Sequence, residues 1–93
     1  MILHTLNQAP SNAACMESCL EAIAPGDTLL LIEDGVYWTQ PAFQETLSRH
    51  SGKLFALTPD ILARGIQFET DLQVEDAGFV ELCASHDKVV SWF

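Results

Sequence analysis

A chain of 93 residues has room for one domain, with a core but with more of its surface left in water than a longer domain leaves. Residues of apolar type make up 48% and charged ones 18%, a composition rich enough in core formers to suggest that a partner covers some of them. Thirteen acidic residues against four basic ones give a net charge of −9, which repels a phosphate backbone and argues against direct nucleic-acid binding.

In chain order, Ile2 to Leu6 reads as a first strand, followed by an Asn7-Gln-Ala-Pro10 loop. Ser11 or Asn12 can cap a helix running to about Ile23, closed by Pro25-Gly26. Thr28 to Ile32 is a continuous apolar run between Asp27 and Asp34-Gly35, the pattern of a strand buried on both faces. A second helix is expected from Pro41 to Arg49-His50, with basic groups suited to its carboxyl end. Lys53 to Leu57 reads as a third strand. Thr58-Pro59 then supplies a cap and an early proline for a short helix that stops at Gly65. A fourth strand at Leu72 to Val74, a helix from Asp76 to Ser85 and a last strand from Lys88 to Trp92 complete the series. Strand and helix alternate throughout. The expected fold is therefore a single α/β domain over residues 1–93, with a doubly wound, mostly parallel sheet of about five strands.

In such a sheet, function collects where loops leave the carboxyl ends of the strands, here Asn7 to Asn12, Glu33 to Trp38 and Thr58 onward. None is glycine-rich, so nucleotide binding has no motif behind it, and no cofactor is expected. His4, His50 and His86 are scattered, and Cys15, Cys19 and Cys83 lack zinc-site spacing, so no metal is expected either. His4 lies inside the first strand and reads as a core histidine with its hydrogen bonds satisfied. Glu33 and Asp34 are adjacent carboxylates at a strand end, more in keeping with a solvated turn than with acid/base catalysis. Ser11 and Ser18 have no evident base nearby.

The thiols carry the remaining chemistry. At about 100° per residue, Met16, Leu20 and Ile23 define the apolar arc of the first helix, with Ala13 at one side. Cys19 falls inside that arc and reads as buried. Cys15 falls at its edge near the first turn, where the helix N-terminus favours thiolate and Glu17 and Glu21 oppose it. Their spacing is not C-x-x-C, and parallel Cβ directions on one helix suit a disulfide poorly. Cys83, beside Phe79 and Leu82, reads as core. Val36, Tyr37, Trp38 and Phe43 cluster aromatic and apolar side chains after the second strand, and are the expected partner interface. An odd cysteine count and no visible targeting or membrane segment point to a cytoplasmic protein with reduced thiols.

Ile2-Leu-His-Thr-Leu6, Glu17-Ser-Cys-Leu20, Pro25-Gly-Asp27, Leu29-Leu-Leu-Ile-Glu-Asp-Gly-Val-Tyr37, Phe55-Ala-Leu57, Leu62-Ala-Arg-Gly65 and Phe79-Val-Glu-Leu-Cys-Ala-Ser-His86 together resemble the TusB/DsrH family. The resemblance implies a DsrE/DsrF-like fold and a place in a cytoplasmic sulfur-relay heterohexamer with sister TusC/TusD-like (DsrF/DsrE-like) subunits. One branch of that family supplies persulfide sulfur for 2-thiolation of the tRNA wobble uridine; the other serves sulfur oxidation. The family's principal relay cysteine belongs to a sister subunit. Cys19, in its Ser-Cys-Leu setting, is the position the resemblance marks as a possible persulfide carrier, with Cys15 as second choice on helix geometry alone. The functional expectation is thus a non-catalytic or accessory relay subunit. The alternatives are a DsrH-like carrier using Cys19 and an unrelated flavodoxin-like small-molecule-binding domain. A small domain with exposed aromatics is also expected to form a homo-oligomer when its partners are absent.

Overall fold

A computed structural model describes residues 1–93. Five strands, β1 (Ile2–Leu6), β2 (Thr28–Leu31), β3 (Lys53–Leu57), β4 (Gln73–Val74) and β5 (Lys88–Trp92), form one sheet in the order β4-β3-β2-β1-β5. Every pairing is parallel; Leu3 lies opposite Thr28, and Ile2 opposite Lys88. Four helices connect them: α1 (Ala13–Ala22), α2 (Gln44–Leu47), α3 (Thr58–Ala63) and α4 (Asp76–Ser85).

The connection rule explains the layers. From β1 to β4 the chain steps one way across the sheet, so right-handed crossovers put α1, α2 and α3 on one face. The return from β4 to β5 runs the other way and puts α4 on the opposite face. The packing agrees. Met16 and Cys19 of α1, Ile23 just past its end, Leu47 of α2 and Ile61 of α3 form one core with Leu6, Leu29, Leu31 and Ala56 of the sheet. Alternation along the strands turns Leu3, Thr28 and Leu30 to the other face. There Thr28 Oγ1 meets His86 Nε2, just past α4, at 2.8 Å. Leu3 and Leu30 are fully buried, yet α4 itself buries no residue completely.

The ends of the elements differ from expectation in ways with local causes. Pro10–Asn12 winds as a 3-10 turn, so α1 begins at Ala13, and neither Ser11 nor Asn12 caps it. The Asn12 amide donates instead to Gln8 Oε1 at 3.2 Å. Thr58 is the first helical residue of α3 and not its cap, since the capping position falls on Leu57 with no side-chain bond. Glu33–Thr39, expected as loop, is a 3-10 helix, and a second 3-10 turn at Pro41–Phe43 leaves only Gln44–Leu47 for α2. With the helix ending at Leu47, Arg49 turns its guanidinium to Glu17 of α1, at 2.8 and 2.9 Å. Leu72 closes a 3-10 turn, and β4 starts at Gln73.

One buried carboxylate joins the start of the sheet to its far edge. Asp27 Oδ1 accepts from the Ile2 amide at 2.9 Å, and Oδ2 accepts from the Ala24 amide at 3.0 Å. His4 Nε2 lies 2.9 Å from Oδ2, and Trp92 Nε1 donates to His4 Nδ1 at 3.0 Å. Because Nδ1 accepts from the indole, Nε2 carries the proton and donates it to Asp27. Burial pushes the Asp27 carboxyl up, but the bonds from His4, Ile2 and Ala24 outweigh it and hold the pKa at about 2.

A carboxylate held below its unfolded value stabilises the fold above that value, and the contribution disappears as pH falls through the folded pKa. We expect Asp27 to contribute on the order of 2 kcal/mol near neutral pH, lost between about pH 4 and about pH 2. In urea titrations across that range, Asp27→Asn should be less stable at neutral pH and should lack this acid slope. An unchanged slope in the variant would assign the acid sensitivity to other groups.

Candidate functional site

The helix that carries two of the three thiols also supplies much of the core. In α1, Met16 and Cys19 point at the sheet and Ile23 follows them, so the apolar arc read from spacing is the buried face. Cys19 is 0% exposed. Its thiol is pushed up to about 12, first by burial and then by the neighbouring Cys15. A persulfide carrier needs a thiolate in reach of another protein's sulfur, and this side chain has neither property. Cys15 is half-buried at the edge of the arc. The helix-dipole argument predicts a lowered pKa there, but burial raises it. Burial thus acts in the same direction as the Glu17 and Glu21 carboxylates that the sequence sets against the helix end. Cys83 departs furthest from expectation: α4 turns it to solvent. The reason is that α4 is a thin cover, with no fully buried residue, Phe79 and Leu82 only half-buried and Val80 68% exposed.

At the carboxyl ends of the strands, the loops close on each other. Arg64 donates to Asp34 Oδ1 from Nε at 3.1 Å and from Nη2 at 2.9 Å, and to the Asp60 carbonyl at 3.3 Å. Its guanidinium lies 5.9 Å from the centre of the Tyr37 ring. Glu33 adopts φ +49°, a region costly for a residue with a side chain, and its amide donates to Asp60 Oδ2 at 2.6 Å. Gly35 follows because a Cβ there would collide with the Leu6 carbonyl. The Glu33-Asp34 pair therefore shapes a turn that Arg64 and Asp60 hold, and no nucleophile stands beside it. Arg64 is the residue that sequence reading missed here; its only signal was the fragment Leu62-Ala-Arg-Gly65.

The structure divides the expected interface cluster. Val36 and Trp38 are buried in the chain's own core, and Trp38 Nε1 donates to the Gln8 carbonyl at 3.0 Å. Phe43 packs edge-on against Trp38, with centroids 5.4 Å apart and planes at 66°. Only Tyr37 and Phe43 keep part of their surface outward. The histidines are committed to structural bonds: His4 as described, His86 to Thr28, and His50 Nδ1 to the Leu47 carbonyl. The largest hollow is an open groove of about 630 Å³ between α2 and the segment before β4, floored by Leu47, Leu54, Phe68 and Leu72. None of the cysteines lines it. No helix is long and apolar enough to cross a membrane.

Comparison with known proteins places this architecture. The family model for DsrH-like proteins matches residues 8–89. Protein TusB of Enterobacter sp. (strain 638) is 36% identical, the alignment covering 98% of this chain and all of that one. Protein TusB of Shigella sonnei (strain Ss046) is 32% identical with the same coverage. Among solved structures, protein Tm0979 of Thermotoga maritima superposes with a TM-score of 0.68 over 94% of this chain and 95% of that one, at 19% identity.

The thiol environments fix an order of reactivity. With a maleimide probe at neutral pH, Cys83 should label first, Cys15 at least tenfold more slowly, and Cys19 only after urea opens the fold. Peptide mass spectrometry of timed samples reads this order directly. Labelling of Cys19 in the folded protein at the rate of Cys83 would contradict the burial described.

Proposed function

The chain belongs to the DsrH/TusB family, and on that premise we propose that it is an accessory, non-catalytic subunit of a cytoplasmic sulfur-relay complex. Its relay passes persulfide sulfur toward 2-thiolation of the tRNA wobble uridine, and its partners are sister TusC/TusD-like subunits in a heterohexamer. The observation that carries the accessory role is Cys19: the thiol at the family's Ser-Cys-Leu position is fully buried and held protonated. A sulfane sulfur moves when a thiolate attacks it and the donor thiolate leaves. Such an exchange belongs to a sister subunit's thiol, while this chain contributes a docking body and a shaped acidic surface.

The charge supports the same division of labour. A chain of net −9 repels tRNA at long range, so the nucleic acid is held elsewhere in the pathway. The choice of thiolation over sulfur oxidation rests on the full-length similarity to proteins named TusB.

Co-expression with TusC- and TusD-like sisters tests the reading. The expected result is a stable complex containing this chain, which assembles equally well with Cys19→Ser. Recovery of the sisters as a complex without this chain would overturn it. So would a gain of one sulfur mass on Cys19 when the purified chain meets a persulfide donor, because that would make the chain a carrier.

A further inference from the structure

The largest hollow in the molecule, the groove of about 630 Å³ between α2 and the segment before β4, has no part in the sulfur-relay reading. Beneath its rim the floor is apolar. The side chains above that floor have spent most of their hydrogens inside the fold. The Thr39 hydroxyl donates to the Val36 carbonyl and the Ser48 hydroxyl to the Glu45 carbonyl, each at 2.7 Å. The Gln44 amide donates to the Thr39 carbonyl at 3.1 Å, and His50 Nδ1 to the Leu47 carbonyl. What they keep for an occupant is lone pairs: on both hydroxyls, on Gln44 Oε1 and on Nε2 of the neutral His50 ring. Glu69 adds a carboxylate that no cation of the chain pairs, and neither lysine nor arginine lines the groove. One wall is main chain. The Phe68 carbonyl accepts from the Gln73 side chain and the Glu69 carbonyl from the Leu72 amide, both at 3.1 Å. The amides of Gln67, Phe68 and Glu69 have no partner within the fold.

We propose that this groove docks an extended segment of a different protein in which leucine-like side chains alternate with arginine or lysine. The apolar side chains cover Leu54 and Phe68 on the floor. The cation donates to the Glu69 carboxylate and to the lone pairs beside it. The segment's own carbonyls accept from the amides of the wall, as main chain does when an extended peptide is bound. Rival occupants each fail on one part of the groove. A polyanion is repelled by Glu69 and by the net charge of −9. A second copy of this chain brings the same −9 with it. Sites for small ligands enclose roughly 70–90% of the ligand's surface, whereas this groove is open to solvent and leaves a small cation half uncovered. A basic, apolar-anchored segment is the class whose charge, donors and main chain all find a counterpart. The docking rests on the groove alone and stands whether or not the chain serves a sulfur relay.

Titration of the isotope-labelled full chain with a capped Ser-Leu-Arg-Leu-Arg-Ser peptide, followed by amide chemical shifts, tests the docking. The expected result is saturable binding with shifts at Gln67, Phe68, Glu69 and Leu72. Binding should weaken several-fold between about 50 mM and about 500 mM salt. A peptide with glutamate in place of arginine, or serine in place of leucine, should bind about tenfold more weakly or worse, having lost the charge match or the floor contact. Glu69→Lys, at an exposed position, should weaken the arginine peptide by about tenfold with an unchanged circular dichroism spectrum, and Glu69→Gln by less. No shift at about 1 mM peptide overturns the proposal, as do shifts confined to residues away from the groove. Equal binding of the glutamate peptide, or unchanged binding to both Glu69 variants, overturns it as well. So does spermidine that binds the same amides as tightly as the peptide, since the groove would then be a small-cation site.

Discussion

The structure turns on one carboxylate. Asp27 sits in the loop between α1 and β2, and its two oxygens take the amide that starts β1 and the amide that ends the α1 turn. Through His4 it also reaches Trp92 at the end of β5. Three segments far apart in sequence, β1, the loop after α1 and the end of β5, are thereby linked through one anion that water hardly touches. A buried charge is tolerated only when its lone pairs are filled, and here protein donors fill them. The indole takes the second imidazole nitrogen, which leaves His4 one tautomer and one orientation.

That anchoring has a consequence for the thiols. With Ala24 tied to Asp27, the carboxyl end of α1 is fixed against the strand that follows, and the helix presents the Met16, Cys19 and Ile23 face to the sheet. Exposing Cys19 would require turning a helix that is also held at its solvent side by the Arg49–Glu17 pair. The surface pair alone contributes little; the packing of the core side chains does most of the holding. The family position most suggestive of sulfur chemistry thus serves as a core position in this chain.

Much of the fold was legible because periodicity and turn residues agree. The apolar run at Thr28 to Leu31 fixed a central strand, and alternation of strand and helix fixed the parallel sheet. What spacing could not show was depth. Cys83 and Cys19 both lie on apolar helical stretches, and only tertiary packing reveals that α1 is pressed onto the sheet while α4 rides high on it. The aromatic run at Val36 to Trp38 looked like surface because Glu33-Asp34-Gly35 signals a turn. Gly35 instead lets the chain pass against the Leu6 carbonyl, and a 3-10 helix delivers Val36 and Trp38 into the core. The Asp27–His4–Trp92 chain was invisible, since no local pattern links residues that far apart. His4 alone signalled it, as a polar group in a buried strand that had to be satisfied somewhere.

The central claim is that this chain supports a relay without carrying sulfur. The most direct test is a reconstituted complex in which Cys15, Cys19 and Cys83 are all replaced by alanine, with assembly confirmed before 2-thiouridine formation is measured. Thiolation within about twofold of the unsubstituted complex is the result predicted, since the proposed function places the transferring thiols on other subunits. Abolished thiolation in a complex that still assembles would contradict the account and return a cysteine of this chain to the relay.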